Sequence, residues 1–203
     1  IGRYDWEFEY REEDHDDGEK TFLGETGRLN GEDIIRIVCD QPATSRFVAR
    51  HLYNYFVADE AQVPAWSVTP PRDPEAIDLL SKTLVESGYD IRSMLRVLFN
   101  SDFFKNARFA KIKSPAEVVV GTLRLVGGAD FPAPGLGELS RQPGYMGQEL
   151  LNPPSVEGWH TGAEWINSGS LARRINFTAD LVGDVTRPGI QSLISRLKAR
   201  GGL

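Results

Sequence analysis

The first ten residues alternate between aromatic and charged side chains. Aromatic residues occupy every second position from residue 4 to residue 10, namely Tyr4, Trp6, Phe8 and Tyr10. The residues between them are charged. An apolar period of two predicts a β-strand with one aromatic face. The stretch DHDDG at 14–18 has the composition of a turn, and KTFLG at 20–24 suits a short return strand. The pattern therefore predicts a β-hairpin or an extended acidic arm over residues 1–29.

The apolar positions change to a helical period after Asn30. The stretch GEDIIRIVCDQ spaces its apolar residues along one helix face, and Asn30 and Asp33 lie where they can cap its start. Pro42 should end this helix. The next stretch, ATSRFVARHLYNYFVAD, predicts a second amphipathic helix with Arg46 and Arg50 on one face. Its broad apolar face is formed by Phe47, Leu52, Tyr55 and Phe56.

Helical signals continue to the end of the chain. Asp90 is placed to cap the stretch IRSMLRVLFNSDFF, and Ser114, Pro115 and Glu117 have the spacing of a helix N-terminus with a capping box. The chain is therefore predicted to be mainly α, with one helical domain over 30–203. Its other helical segments are expected at 75–87, in GYMGQELL, and at 162–167, 170–183 and 189–199.

Composition excludes several classes of function. The net charge of −6 disfavours a general nucleic-acid-binding protein, because phosphate contacts need a basic surface. A single cysteine, Cys39, leaves no internal disulfide and no zinc cluster built on cysteines. No apolar run is long enough to span a bilayer. We therefore expect a soluble domain that neither binds nucleic acid nor spans a membrane.

The acidic stretch near the N-terminus is a candidate metal site. Its carboxylates and imidazole are ligands that divalent cations accept: Asp14, His15, Asp16 and Asp17. The spacing does not match a calcium-binding loop, because Gly24 falls where that loop needs a glutamate. The alternative is a solvated acidic turn. No cofactor is required by the sequence, and a divalent metal stays a hypothesis.

The stretch LLNPPSVEGWHTGAEW at 150–165 is the main candidate for a binding or active site. Irregular segments rich in aromatic and polar side chains often line a ligand cleft. Trp159 and Trp165 could stack on sugar rings, and Glu157 with Glu164 could act as paired carboxylates beside His160. The alternative is a rigid loop that joins helices, with both tryptophans in the core.

Four stretches together resemble the bacterial family designated domain of unknown function 1800. They are DHDDGEKTFLGETGRLNGEDII, QPATSRFVARHLYNYFVADE, LRVLFNSDFFKNARFAKIKSPAEVVVGTLRLVG and MGQELLNPPSVEGWHTGAEWINSGSLARRINF. The resemblance runs in order from Tyr4 to Phe177. The residues that match the family pattern and carry reactive or ligand-binding groups are His15, His51, Trp159, His160 and Arg174. The resemblance adds Arg174 to the candidate ligand-binding residues.

What the resemblance implies concerns context more than chemistry. It implies a longer protein of which this chain is the C-terminal half, with the N-terminal half as its first partner. It also implies export to the periplasm or cell surface. Family members are commonly encoded beside a second family, numbered 1501, that resembles sulfatases. No established activity comes with the resemblance.

Two functions follow as hypotheses. The first is a binding or assembly module acting beside a sulfatase-like partner. The second is a hydrolase acting on a surface polysaccharide or a similar polar substrate, with or without a metal, and with Glu157, His160 and Glu164 at its active site. The hydrolase needs His15 or His160 in an open pocket with carboxylates in hydrogen-bond reach. The binding module instead predicts an exposed apolar patch, or these side chains buried and satisfied.

Overall fold

The structure is a computed structural model that describes residues 10–127 and 135–201. The predicted aromatic strand at Tyr4, Trp6 and Phe8 lies outside the described residues. Tyr10 is described, and it precedes a short 3₁₀ turn at Glu12–Asp14. The acidic stretch is therefore a turn followed by irregular backbone, as its composition indicates.

A small β-hairpin follows the acidic stretch. Strand β1, Lys20–Phe22, pairs antiparallel with β2, Glu25–Gly27, and Thr21 lies opposite Thr26. Leu23 and Gly24 connect the strands with φ angles of 48° and 91°. Positive φ at both central residues is the geometry of a tight hairpin turn. Lys20–Phe22 thus forms a strand, as predicted. Its partner in the described structure is Glu25–Gly27, which was not predicted to be a strand.

Helices make up most of the remaining chain, so the protein is mainly α. In chain order they are α1 Gly31–Asp40, α2 Pro42–Phe56, α3 Pro74–Glu86, α4 Ile91–Asn100, α5 Asp102–Lys105, α6 Pro115–Val126, α7 Leu136–Leu139, α8 Gln142–Tyr145, α9 Ser168–Val182 and α10 Pro188–Ala199. Single 3₁₀ turns lie at Val63–Ser67 and Gly162–Trp165. No helix in these described ranges is both long and apolar enough to cross a membrane.

The predicted helix starts are confirmed by their hydrogen bonds. The Asn30 side chain accepts from the backbone N–H of Asp33, 3.1 Å away, and the Asp33 carboxylate accepts from the N–H of Asn30. Ser114 and Glu117 form the same reciprocal arrangement at the start of α6. Asp90 caps α4 through two backbone N–H groups. Each cap satisfies backbone donors that the first helical turn leaves without a partner.

The main core lies between α2, α3 and α4. Its fully buried members are aliphatic side chains from the three helices: Ala49, Ile77, Leu80, Leu84, Met94 and Leu98. Ser45 on α2 faces Ser81 on α3, and their hydroxyls are 2.8 Å apart. Small residues at these positions let the two helices approach closely.

The predicted apolar face of α2 is partly wrong. Phe47 and Tyr55 are 50% and 71% exposed, whereas Arg50 is only 6% exposed. The face that meets α3 contains Ser45, Ala49 and Tyr53, which recur at four-residue spacing. Leu52 and Phe56 pack partly against this core, as predicted.

A second helical layer is built on α6. This helix packs against α9, α8 and α10, and its residues Val119 and Val126 are buried. Gly127 ends α6 with φ 69°, and the N-terminus of α10 crosses close to it at Gly189. Met146, Trp165 and Ile190 are buried in this part of the molecule. The division into an arm at 1–29 and a helical domain at 30–203 stays a prediction.

Candidate functional site

The irregular region between α8 and α9 is held in place by backbone and core contacts. The Gln148 side chain accepts from the backbone N–H of Ala116 at the start of α6, 2.9 Å away. The neighbouring Met146 is fully buried. Gly147 and Leu151 adopt positive φ angles of 100° and 65°. The turn between them therefore has a defined conformation, tied to α6 at one point.

The next turn of this region is fastened to the other helical layer. The Gln62 side chain donates to the Thr161 carbonyl, 3.0 Å away. Gly162 has φ 62°, and a Cβ there would lie 3.0 Å from the Cβ of Asp59. Asp59 itself accepts from the Ile112 N–H at 2.7 Å and from Lys111 at 3.1 Å. Only glycine fits this position without moving Asp59.

Two of the three predicted catalytic residues come together in this turn. His160 Nδ1 lies 2.8 Å from Glu164 Oε2, and both side chains are exposed. A carboxylate that accepts from Nδ1–H leaves Nε2 as the free basic nitrogen of a neutral imidazole. Glu157 lies nearby in sequence and is exposed. Its backbone N–H donates to the Ser155 hydroxyl, and none of its hydrogen bonds in the described structure involves His160 or Glu164. His160 and Glu164 thus form an exposed pair, and their catalytic role stays a prediction.

The two tryptophans have different environments. Trp165 is 8% exposed, which favours the alternative of a core residue, and its contact with a ligand stays a prediction. Trp159 is half-buried and lines a cleft of about 540 Å³ together with Glu149 and Asn152. Of the two tryptophans, Trp159 is thus the more accessible to a ligand.

Arg174 lies on α9 and is 8% exposed. Its Nη1 donates to the Lys113 carbonyl, 2.7 Å away, immediately before α6. Its Nε and Nη2 are buried and have no hydrogen-bond partner among the residues that the structure describes. Burial lowers the pKa of this guanidinium. Arg174 does not line the cleft of Trp159, so these two of the predicted ligand-binding residues lie at different sites.

The acidic stretch does not assemble a set of metal ligands. His15 Nδ1 lies 2.9 Å from Asp17, and Asp16 accepts from the Gly18 N–H at the same distance. That backbone hydrogen bond, with Lys20 nearby, lowers the pKa of Asp16. Asp14 instead approaches Arg11, at 3.8 Å. Among the residues the structure describes, no three His, Cys, Asp or Glu side chains converge as a metal site would require. The metal hypothesis stays a prediction that thermal melts with and without a chelator can test.

A second group of residues was not anticipated from the sequence. Arg50 on α2 forms a buried ion pair with Glu60, with Nη2 and Oε2 2.7 Å apart, and its guanidinium lies over the Trp66 ring at 4.5 Å. His51 packs between the rings of Phe47 and Trp66. Burial lowers the pKa of His51. The one sequence signal for this group is Arg50 itself, which lies on a predicted helix with aromatic residues at nearby positions.

An open pocket of about 440 Å³ lies beside this group. Phe47, Trp66 and Val68 line it on one side and Arg46 on the other. Arg46 is itself paired with Asp78. Because each arginine here already has a carboxylate partner, the pocket carries no unpaired cation among its described lining residues.

The protein is a mainly α-helical chain whose irregular, aromatic region joins two helical layers. The family model for proteins of unknown function designated DUF1800 matches residues 3–201, and the chain belongs to this family. The resemblance inferred from the motifs is thereby confirmed. No curated protein and no solved structure matches the chain.

Proposed function

We propose that this chain is a binding module that docks a protein partner on the surface around Leu151. The observation that carries this proposal is the exposure of apolar side chains in one short region: Tyr145, Leu150, Leu151 and Val156. Leu151 is 97% exposed. Clustered exposed apolar side chains are typical of protein interaction sites, whereas scattered ones are ordinary.

The shape of this surface supports docking. Tyr145, Leu150 and Leu151 line an open groove of about 650 Å³, bordered by Arg141 and Glu149. An apolar floor with charged residues at its border is the usual organisation of an interface. Leu151 also holds a positive φ, which is costly for a leucine at the surface and serves to present its side chain.

The partner we propose is a sulfatase-like protein acting beside this chain at the surface or in the periplasm of a bacterium. The chain belongs to family 1800, and this context is the one that the resemblance to the family implies. The N-terminal half of a longer polypeptide is the other partner of this kind. These two candidate partners are distinguished by testing whether each one binds the surface around Leu151.

The test is copurification of the full-length protein with the sulfatase-like protein encoded beside it. Leu151→Asp should abolish the complex, because the charge would have to be desolvated in an apolar contact. Aspartate tolerates positive φ, so the fold should be retained. Val68→Asp is the matched control, since Val68 is also highly exposed, at 83%, but lies beside α2. A complex that survives Leu151→Asp would overturn the proposed docking surface, and a complex lost equally in both variants would do so as well.

A second candidate function rests on the His160–Glu164 pair. The 2.8 Å contact supports a hydrolase that uses His160 Nε2 as general base toward a polysaccharide or similar substrate. Glu157 would then be the remaining carboxylate of the active site. The test measures release of reducing sugar by the full-length protein, its His160→Gln variant and its Glu164→Gln variant. Loss of about 10²–10⁴-fold in His160→Gln at unchanged melting temperature supports the hydrolase. Equal rates in all three proteins would exclude it.

A further inference from the structure

The cleft of Trp159 has walls suited to a polar, uncharged ligand. Its volume is about 540 Å³, and it is lined by Glu149, Asn152, the two prolines that follow, Trp159 and two glycines. The glycines let a ligand approach the backbone closely, because they carry no side chain. None of the lining residues is basic, and the only charged one is a carboxylate.

Hydrogen-bonding groups in this cleft are left open. The Asn152 amide donates to Glu149 Oε2, 2.9 Å away. This bond orients both side chains and leaves Glu149 Oε1 and Asn152 Oδ1 as acceptors without a donor in the described structure. Trp159 makes no hydrogen bond within the described ranges, so its indole N–H can donate to a ligand. The cleft therefore offers two acceptors and one donor around an aromatic ring.

We propose that this cleft binds a neutral saccharide. The apolar C–H face of a sugar ring packs on an aromatic ring, and its hydroxyls both donate to carboxylate or amide oxygens and accept from an indole N–H. An anionic or sulfated sugar is disfavoured, because Glu149 would repel it and no lining cation would compensate. An apolar ligand is disfavoured too, since it would leave these oriented polar groups without partners.

The cleft is formed before a ligand binds. Gln148, next to Glu149, is tied to the N-terminus of α6, and the buried Met146 anchors the same turn. A rigid site loses little conformational entropy on binding, which favours affinity for a small ligand. The cleft shares Gly144 and Glu149 with the groove of the proposed protein-docking surface, whereas Asn152 and Trp159 line the cleft and not that groove.

Calorimetric titration of the full-length protein with cellohexaose and chitohexaose tests the proposal, with a heparin hexasaccharide as the anionic probe. We expect saturable binding of at least one neutral probe and no binding of heparin. Trp159→Ala should weaken this binding by about tenfold, whereas Trp159→Phe should retain most of it. Phe109→Ala is the matched control, because Phe109 is an exposed aromatic residue outside the cleft.

Asn152→Ala provides a second variant should Trp159→Ala lower the melting temperature. It removes one acceptor from an exposed position and should weaken binding while leaving the fold intact. Failure of both neutral probes to bind overturns the proposal, as does preference for heparin or binding unaffected by both cleft variants. The titration contains no protein partner, so its outcome is independent of the copurification with Leu151→Asp.

Discussion

Two buried arginines distinguish the two helical layers of this protein. Arg50, in the α2–α3 layer, donates to Glu60 at 3.1 and 2.7 Å and to the carbonyls of Thr69 and Pro70 at 3.0 and 3.1 Å. Arg174, on α9 facing α6, donates to one carbonyl, and its Nε and Nη2 have no partners within the described part of the chain. Both side chains are more than nine-tenths buried.

The difference shows which layer pairs and hydrogen-bonds its buried arginine with groups of this chain. A buried guanidinium is tolerated when its N–H groups are satisfied and its charge is paired, and it is destabilising when they are not. The layer around Arg50 meets both conditions within this chain. The layer around Arg174 meets neither among the described residues, and the irregular region that carries both candidate binding surfaces packs in this layer. The predictions below test that contrast, from the largest expected effect to the smallest.

Glu60→Ala should cause the largest loss of stability. It leaves the buried charge of Arg50 unpaired and removes an acceptor for the Arg72 N–H, which lies 2.8 Å from Glu60 Oε1. We expect a decrease of about 3–5 kcal/mol in the free energy of unfolding, measured by urea denaturation. Glu25→Ala is the control, because it breaks the exposed pair with Arg36 and should leave the midpoint unchanged. Similar effects of the two variants would contradict the role given to Arg50.

Arg174→Met should have the opposite sign. Methionine keeps much of the apolar volume while removing a buried charge and two unsatisfied donors. We expect stabilisation of about 1–2 kcal/mol by the same measurement. Arg173→Met is the control, since Arg173 is its exposed neighbour and should change little. A marked loss of stability in Arg174→Met would mean that the two arginines are equivalent after all.

Ser114→Ala should weaken the start of α6, directly after the Lys113 carbonyl that accepts from Arg174. The serine hydroxyl accepts from the Glu117 N–H at 3.3 Å, and its loss leaves that donor without a side-chain partner. We expect a loss of about 1 kcal/mol in unfolding free energy. Ser114→Gly is the informative control, because glycine is a tolerated cap and should cost less. No loss in either variant would show that the hydroxyl contributes nothing at this position.

His51 should give the smallest effect, visible as a pH dependence. Burial holds its pKa below the ordinary value of about 6.5, so the unfolded chain binds this proton more readily than the folded one. The neutral ring contributes stability above about pH 6.5, and this contribution is lost as the pH falls toward the folded pKa. The difference in unfolding free energy between pH 7.5 and 5.5 should be smaller in His51→Phe than in the wild-type protein. An identical difference in both would show that His51 does not titrate differently on folding.

The starts of three helices were determined by the sequence alone, because their capping signals act over three or four residues. Asn30, Asp90 and Ser114 cap the helices that they were predicted to cap. The mainly α class and the family followed from local periods and motifs of the same kind. The contact between His160 and Glu164 spans four residues and forms across the turn at Gly162–Trp165.

Burial and pairing were decided only by the tertiary structure. Helical period placed Phe47 and Tyr55 on an apolar face, but the small side chains Ser45 and Ala49 allow α3 to pack closer on the adjoining face. That packing buries Arg50 and brings Glu60 to it across a turn. Trp159 and Trp165 look alike in sequence, yet only Trp159 lines a cleft. Local spacing cannot distinguish such cases, because the contacts that separate them come from segments distant along the chain.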